Sequence, residues 1–269
     1  VAVLNPGPPK KGASVSGLTC VHARPLRLDQ PYGGVLIVSR SGGAGGLVDF
    51  EGGAAGAIVT PANNTCTFSS TGGTGSEPLG PAGSMVAKAG GSELADLCAA
   101  LPFLAGGAGA NGYRCSTGSA VLTEAGGSLK SASVIHAVAP AFAVEEGDPT
   151  TVEDNDEALT TTYSAAMELG RAGGMAYLAF PCSLLRDPTA TGDARSVEQI
   201  LAIGMGAIRA SLYPELDEVH LVATDDAEEA LLLKVLESSW DPDPFSMSLP
   251  APGSIVSSSP NTSVKFETD

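Results

Sequence analysis

The histidines and cysteines are the side chains of this sequence that could bind a metal ion or form a nucleophile and its base. They are His22, His136 and His220, and Cys20, Cys66, Cys98, Cys115 and Cys182. The histidines lie far apart, and His136 and His220 fall within apolar runs typical of core strands. Cys182 follows a predicted strand with no histidine near it in sequence, so we interpret it as an inert thiol. The pattern predicts neither a metal site nor a paired nucleophile and base.

The spacing of the cysteines indicates the redox environment. The five residues are widely separated and include no C-x-x-C pair. An odd number without pairing logic predicts reduced thiols in an intracellular, reducing compartment. The sequence begins at Val1 rather than Met, which fits a removed targeting peptide and makes a plastid or mitochondrion a candidate destination.

The charge excludes one class of partner. The sequence has 30 acidic and 14 basic residues, a formal net charge of −16. Nucleic acid binding needs clustered Lys and Arg, so we expect no nucleic acid partner. No apolar run approaches the roughly 18 residues of a membrane helix, so we expect no membrane span.

The stretch from Cys115 to Pro140 has the most informative spacing in the chain. It opens with Cys115, Thr117, Gly118, Ala120 and Thr123, continues through the pair Gly126 and Gly127, and closes with the apolar run 134–138 and Pro140. We interpret it as a loop, a short bridging segment and a buried strand.

This spacing resembles the macro domain, whose chains carry C-x-T-G-x-A-x-x-T followed by V-I-H-x-V-x-P. The likeness continues on both sides, in the segments Gly56–Asn63, Met85–Cys98, Leu159–Pro181 and Val219–Leu236. The first of these resembles the family's strand ending in D-A-I-V-N-A-A-N. The resemblance implies a three-layer α/β/α domain with a mixed, mostly parallel sheet.

Alternating strands and helices surround the central stretch, as such a fold requires. The predicted strands are Gly34–Val38, Gly56–Thr60, Met175–Phe180 and Val219–Thr224, and the predicted helices are Ser92–Leu101, Leu159–Gly170 and Val197–Leu212. Asp225 or Asp226 offers a capping box for a final helix. We interpret the acidic run Glu145–Glu157 as a solvated loop, and Tyr163 and Met167 as core residues.

The chain divides into three parts. Residues 1–33 form a proline-rich, extended N-terminal arm with at most one edge strand around Leu18–Ala23. Residues 34–239 form the macro-like domain, and residues 240–269 form an extended C-terminal tail. Both extensions carry isolated large apolar residues, which predicts that they dock on protein partners.

The resemblance implies ADP-ribose or a related nucleotide as the ligand, and it assigns roles by position. Asp49, followed by Phe50, matches the residue for the adenine amine, and Asn63 matches the asparagine near the distal ribose. Gly72, Gly73 and Gly75 match the glycine-rich loop, while Ser183 and Arg186 fall in the loop that wraps the diphosphate.

The sequence also departs from the family pattern. The first asparagine of N-A-A-N is Thr60, and the aspartate of the active hydrolases falls on Thr74 or Gly83; Glu77 is the only acid in that loop. The segment 182–188 has no glycine, and Leu184 and Leu185 would crowd the phosphates. We therefore expect weak or absent ADP-ribose binding and no catalysis. The first hypothesis is a non-catalytic structural or accessory subunit of a larger, potentially organellar, protein assembly; the alternatives are a divergent ADP-ribose reader and an ADP-ribosyl hydrolase.

Overall fold

The computed structural model describes residues 14–15, 18–25, 34–41, 46–67, 80–105, 112–140, 142, 152–184 and 195–239. The strands are β1 (Ser14–Val15), β2 (Leu18–Pro25), β3 (Val35–Ser41), β4 (Gly53–Pro61), β5 (Ser119–Glu124), β6 (Ser131–Val138), β7 (Tyr177–Pro181) and β8 (Glu218–Ala223). The helices are α1 (Gly80–Ala99), α2 (Val152–Ala172), α3 (Val197–Ala210) and α4 (Asp226–Ser239), and a 3-10 turn (Gly46–Asp49) lies between β3 and β4.

The strands form a single sheet in the order β1-β2-β3-β8-β7-β4-β6-β5. The five strands from β3 to β6 in that order are parallel, whereas β1, β2 and β5 pair antiparallel with their neighbours. The predicted mixed, mostly parallel sheet is therefore confirmed. Because the parallel strands all end at the same edge, the loops that follow them are brought together there.

Helices cover both faces of the sheet, since successive strand residues point to opposite sides. In β4, Val59 belongs to the core under α2, α3 and α4, whereas Ile58 belongs to the core under α1 and the 3-10 turn. Tyr163 and Met167 of α2 are buried in the first of these cores, as predicted. The three-layer α/β/α architecture is confirmed.

The N-terminal segment contributes to the sheet. The strand predicted around residues 18–23 is present as β2, whose Leu18 and Cys20 are buried. It pairs along the whole of β3, and β1 pairs with its other side, so β2 is not an edge strand. Residues 18–25, which we assigned to the arm, thus belong to the sheet. The rest of the arm and the tail 240–269 lie almost wholly outside the described residues.

The acidic run before α2 is partly helical rather than a loop. The helix begins at Val152, seven residues before the predicted start at Leu159. Glu153 and Asp154 lie in its first turn, where the helix dipole favours carboxylates. Asp156 pairs with Arg195, whose Nη2 lies 2.5 Å from the Asp156 Oδ2. The charges that looked like a solvated loop therefore begin a helix and tie it to the segment before α3.

Helix α1 bends at Gly91, where φ is 58° and ψ is −150°. The bend lies against the β5–β6 loop, in which Ser128 donates its N–H to the Ala89 carbonyl at 2.9 Å. A Cβ at Gly127, whose φ is 64°, would lie 2.2 Å from that same oxygen, so only glycine fits. The helix begins at Gly80, 12 residues before the predicted start at Ser92. No described helix, α1 included, is long and apolar enough to cross a membrane.

Candidate functional site

The carboxyl edge of the parallel strands holds the positions that the sequence predicted to bind a ligand. Four of them are described, namely Asp49, Phe50, Asn63 and Ser183. The other four, Gly72, Gly73, Gly75 and Arg186, lie outside the described residues. The arrangement can therefore be followed at the end of β3, the end of β4 and the end of β7.

Asp49 is held in a fixed position at the end of the 3-10 turn. Ser41, the last residue of β3, donates its hydroxyl to the Asp49 Oδ2 and accepts the Gly46 N–H at 3.0 Å. Within the described residues no donor bonds to the Asp49 Oδ1, and the side chain is half-buried rather than enclosed. One carboxylate oxygen is thus anchored, and the other remains an acceptor at the edge of the sheet.

Phe50 points away from that edge. Its ring is buried, with its centroid 5.3 Å from the His220 ring, and its N–H donates to the Leu47 carbonyl at 3.2 Å. His220 is itself a core residue, as predicted, with its Nδ1 2.8 Å from the Ser39 Oγ and its Nε2 2.9 Å from the Glu218 Oε2. Phe50 therefore supports the turn that carries Asp49, and its ring is committed to the core.

The side chain of Asn63 forms its hydrogen bonds within its own turn. Its Nδ2 donates to the Thr67 carbonyl at 3.0 Å, while its Oδ1 accepts the Thr65 hydroxyl at 2.9 Å and the Thr67 N–H at 3.2 Å. The side chain is also buried. The Oδ1 atom and one hydrogen of the Nδ2 group are therefore used inside residues 63–67, which we call the Asn63 turn.

The described residues after β7, 182–184, bond and pack inside the protein in a different way. The sequence suggested that Leu184 would crowd a phosphate, but its side chain is 0% exposed and packs in the core beneath α2, α3 and α4. Its N–H donates to the Tyr163 hydroxyl oxygen at 3.3 Å. The donor that could face an anion is used internally. Ser183 beside it is half-buried, and Leu185 lies outside the described residues.

Cys182 is an inert thiol, as predicted. It is buried at the end of β7, and burial, together with the Glu228 and Asp225 carboxylates, raises its pKa to about 12. Asp225 caps α4 by accepting the Ala227 and Glu228 N–H groups at 2.9 Å. The predicted capping box is incomplete, because Glu228 binds the Thr224 N–H at 2.8 Å instead of reaching back to Asp225.

Three of the cysteines that are scattered in sequence meet beside the Asn63 turn. Cys66 and Cys115 are buried in one small cluster with Ala62 and Val138, and the two thiols are hydrogen-bond partners. That bond lowers the pKa of Cys115 and raises the pKa of Cys66. The third, Cys98, has its sulfur 3.4 Å from the His136 Nε2. Sequence separation hid this cluster, since nothing local to any one cysteine indicates it.

His136 and Cys98 do not form a reactive pair. Burial lowers the pKa of His136 to about 4 and raises the pKa of Cys98 to about 12, so both are neutral near pH 7. The His136 Nε2 also lies 2.9 Å from the Thr123 hydroxyl. Among the described residues, no group of three or more His, Cys, Asp or Glu side chains has the geometry to hold a metal ion.

Arg114 joins the Asn63 turn to the end of α1. Its guanidinium donates to the carbonyls of Thr65 at 3.2 Å, Leu101 at 3.1 Å and Ala99 at 3.0 Å. Its Cζ also lies 4.3 Å from the centroid of the Phe103 ring. Asn64 adds a second link, because its carbonyl accepts the N–H groups of Arg114 at 2.7 Å and Cys115 at 3.0 Å.

Comparison with known proteins agrees with this architecture. The family model described as Macro domain matches residues 75–183. No curated protein matches the chain. An Oceanobacillus iheyensis macrodomain with ADP is 19% identical, with a TM-score of 0.54 over 81% of this chain and 96% of that one.

Two further solved structures are similar. The macro domain of ganglioside induced differentiation associated protein 2 is 19% identical, with a TM-score of 0.55 over 78% of this chain and 87% of that one. A Trypanosoma brucei macrodomain in complex with ADP is 20% identical, with a TM-score of 0.52 over 79% of this chain and 73% of that one. The shared architecture shows the macrodomain fold, and the Macro domain family model matches residues 75–183 within it.

Proposed function

We propose that this macro domain binds the ADP portion of a nucleotide of the ADP-ribose class and does not hydrolyse it. The observation that carries the proposal is the carboxylate of Asp49, anchored through one oxygen by Ser41 and open through the other at the edge of the sheet. An anchored acceptor suits the exocyclic amine of adenine. Because Ser41 already holds the Asp49 side chain in place, binding loses less side-chain entropy.

The known partners of similar structures support this ligand class. The Oceanobacillus iheyensis and Trypanosoma brucei macrodomains were each solved with ADP, and a Gly-to-Val variant of the former was solved with ADPR. These ligands share the adenosine diphosphate portion. The geometry at Asp49 favours recognition of that shared portion in this chain.

The Asn63 turn and the β7 loop support weak binding that ignores the distal ribose. The buried Asn63 amide already bonds within its own turn through both Nδ2 and Oδ1, and the Leu184 N–H is donated to Tyr163. We therefore expect ADP and ADP-ribose to bind equally, within about threefold, and more weakly than about ten micromolar, or roughly −7 kcal/mol.

The lack of hydrolysis follows from the residues at the expected catalytic position. Gly83, one of the two positions matching the family's aspartate, is buried within α1. Thr74, the other, and Glu77 lie outside the described residues. Neither glycine nor threonine can orient a water molecule as a carboxylate does. Turnover of a mono-ADP-ribosylated peptide that is lost in Glu77→Ala would contradict this part of the proposal.

Calorimetry with the purified full chain tests the binding. ADP and ADP-ribose should give equal, weak affinities, and Asp49→Ala should weaken both by about tenfold or more. Glu237→Ala is the matched control, because Glu237 is an exposed carboxylate near the end of α4 and its loss changes the net charge equally. Binding of ADP-ribose at least tenfold tighter than ADP would show that the distal site is functional after all.

A structural or accessory subunit is the second candidate, and it is favoured by the exposed apolar side chains near the Asn63 turn. Phe103 is 50% exposed and Tyr113 is 43% exposed, and the two segments are joined by the bond from the Leu104 N–H to the Tyr113 carbonyl at 2.9 Å. Such a patch suits a protein partner in a reducing compartment of the cell. If calorimetry detects no nucleotide, copurification of a stoichiometric partner that is lost in Phe103→Ser would support this function.

A further inference from the structure

The thiols of Cys66 and Cys115 lie together in the fold although 49 residues separate them in sequence. They come from the turn after β4 and the segment before β5, and they share a buried cluster with Ala62 and Val138. The main chain holds the two segments together, because the Asn64 carbonyl accepts the Cys115 N–H at 3.0 Å and the Asn64 Nδ2 donates to the Cys115 carbonyl at 3.1 Å. The pair is therefore built into the structure.

The hydrogen bonds give the two thiols different characters. The Cys115 thiol donates to the Ser116 carbonyl at 3.6 Å, while its sulfur accepts from Cys66 and, once ionised, from Ser119. These donors stabilise the thiolate of Cys115, and the neighbouring Cys66 keeps its proton. A nucleophilic sulfur and a resolving thiol in contact are the two components needed to form a disulfide.

A third buried thiol, that of Cys98, has a different partner. Cys98 bonds to His136, whose imidazole also contacts Thr123. The Cys98 sulfur belongs to the core under α1, a separate hydrophobic cluster from that of Cys66 and Cys115. Cys98 is the control residue, because it is also a buried cysteine but its sulfur bonds to a histidine instead of to another cysteine.

We propose that Cys66 and Cys115 are an oxidation site that forms a reversible disulfide on reaction with a hydroperoxide. The thiolate of Cys115 attacks the terminal peroxide oxygen, the O–O bond breaks, and the leaving alkoxide or hydroxide takes up a proton. The Cys66 sulfur then attacks the resulting sulfenic acid and displaces water. Two thiols and one hydroperoxide thus become one disulfide, one alcohol or water from the peroxide, and one further water.

The surroundings give a small oxidant a route to the pair. Both sulfurs are buried, but Thr67, Ser116 and Thr117 beside them are exposed. The disulfide would close a long loop between β4 and β5, which raises thermal stability.

Peroxide treatment of the reduced full chain tests the site. The protein is exposed to hydrogen peroxide, the remaining thiols are alkylated after unfolding, and the digest is mapped by mass spectrometry. We expect a cross-linked peptide that joins Cys66 to Cys115, with Cys20, Cys98 and Cys182 alkylated. Dithiothreitol should restore alkylation at both sites, and the oxidised protein should unfold at a higher temperature than the reduced protein.

Two variants sharpen the result. Cys115→Ser should abolish the cross-link, and Cys98→Ser should retain it. A cross-link that includes Cys98, over-oxidation of Cys115 without a cross-link, or no reaction at peroxide levels that oxidise free glutathione would overturn the proposal. The wild-type peptide map alone decides the matter if a variant fails to fold. Because the readout is a covalent bond, it is independent of whether the protein binds a nucleotide.

Discussion

The described polar groups at the carboxyl edge of the sheet differ in whether they bond within the protein or face outward. At the end of β3, Ser41 holds the Asp49 carboxylate by one oxygen and leaves the other at the surface. At the ends of β4 and β7, Asn63 and the Leu184 N–H bond to groups within the protein. A polar group that serves the interior is unavailable to a ligand. The difference teaches that a retained site residue has to be judged by what its side chain already bonds.

The largest expected effect is on the free energy of unfolding, at Leu184 after the end of β7. Leu184→Ala should lower the free energy of unfolding by about 2–5 kcal/mol, because a fully buried leucine leaves a cavity when truncated. Urea denaturation measures it, with Ser183→Ala as the neighbouring half-buried control. A loss no larger than that of the control would mean that Leu184 does not belong to the core and that the β7 loop is open.

An acid-dependent loss of stability should follow from His136, which pairs in register with Thr60 of β4. Burial lowers its pKa from 6.5 to about 4, so between those values the unfolded chain binds a proton that the folded chain does not. Stability should therefore fall as the pH drops through this window, by up to about 3 kcal/mol.

The measurement is denaturation at pH 7 and pH 4.5 for the wild type and for His136→Gln. The variant has no proton to bind in this range, so its stability should change less between the two pH values than that of the wild type. An equal change in both proteins would show that other groups produce the acid sensitivity.

A smaller effect, on ADP affinity, should distinguish Asp49 from Asn63. Asp49→Ala should weaken ADP binding by about tenfold or more, since hydrogen bonds to charged groups contribute about 1.5–3 kcal/mol. Its free energy of unfolding should change by less than about 1 kcal/mol, as expected for a half-exposed side chain. Asn63→Ala should do the opposite, costing stability and leaving the ratio of ADP to ADP-ribose affinity unchanged.

The smallest expected effect concerns Thr60, which occupies the position of the family's first asparagine. Among the described residues its hydroxyl is the buried side-chain polar atom without a hydrogen-bond partner. Thr60→Val removes that unsatisfied group and keeps the shape, so stability should rise by about 1 kcal/mol. Thr60→Ser keeps the hydroxyl and removes the methyl group, and it should be less stable than the wild type. A destabilised Thr60→Val would indicate a bound water molecule at this position.

The fold was predictable from sequence because its signals are local. The apolar runs that end at or before Pro61, Pro140 and Pro181 predicted the strands β4, β6 and β7. The spacing from Cys115 onward carried the resemblance to the macro family. The start of α2 was not predictable, because the partner of Asp156 near its N-terminus is Arg195, 39 residues away in sequence. Local composition at residues 152–157 describes a loop equally well.

The state of the candidate site was less predictable than its position. Counting along the chain located Asp49 and Asn63, but it could not show which of them faces outward. That depends on bonds to Ser41 and Thr67 whose geometry arises only in the folded turn. The contact between Cys66 and Cys115 was still harder to predict, because it requires the β4 and β5 segments to be placed side by side first.

Arg114 has a mechanical consequence for this part of the molecule. One guanidinium bonds to carbonyls of the Asn63 turn and of the end of α1, so neither segment can move away without breaking bonds that restrain the other. The amide hydrogens of Cys66 and Leu101, which lie on opposite sides of this arginine, should therefore exchange with solvent at matched rates as one cooperative unit. With lysine at this position the planar fork is lost, and the turn and the helix end would open separately.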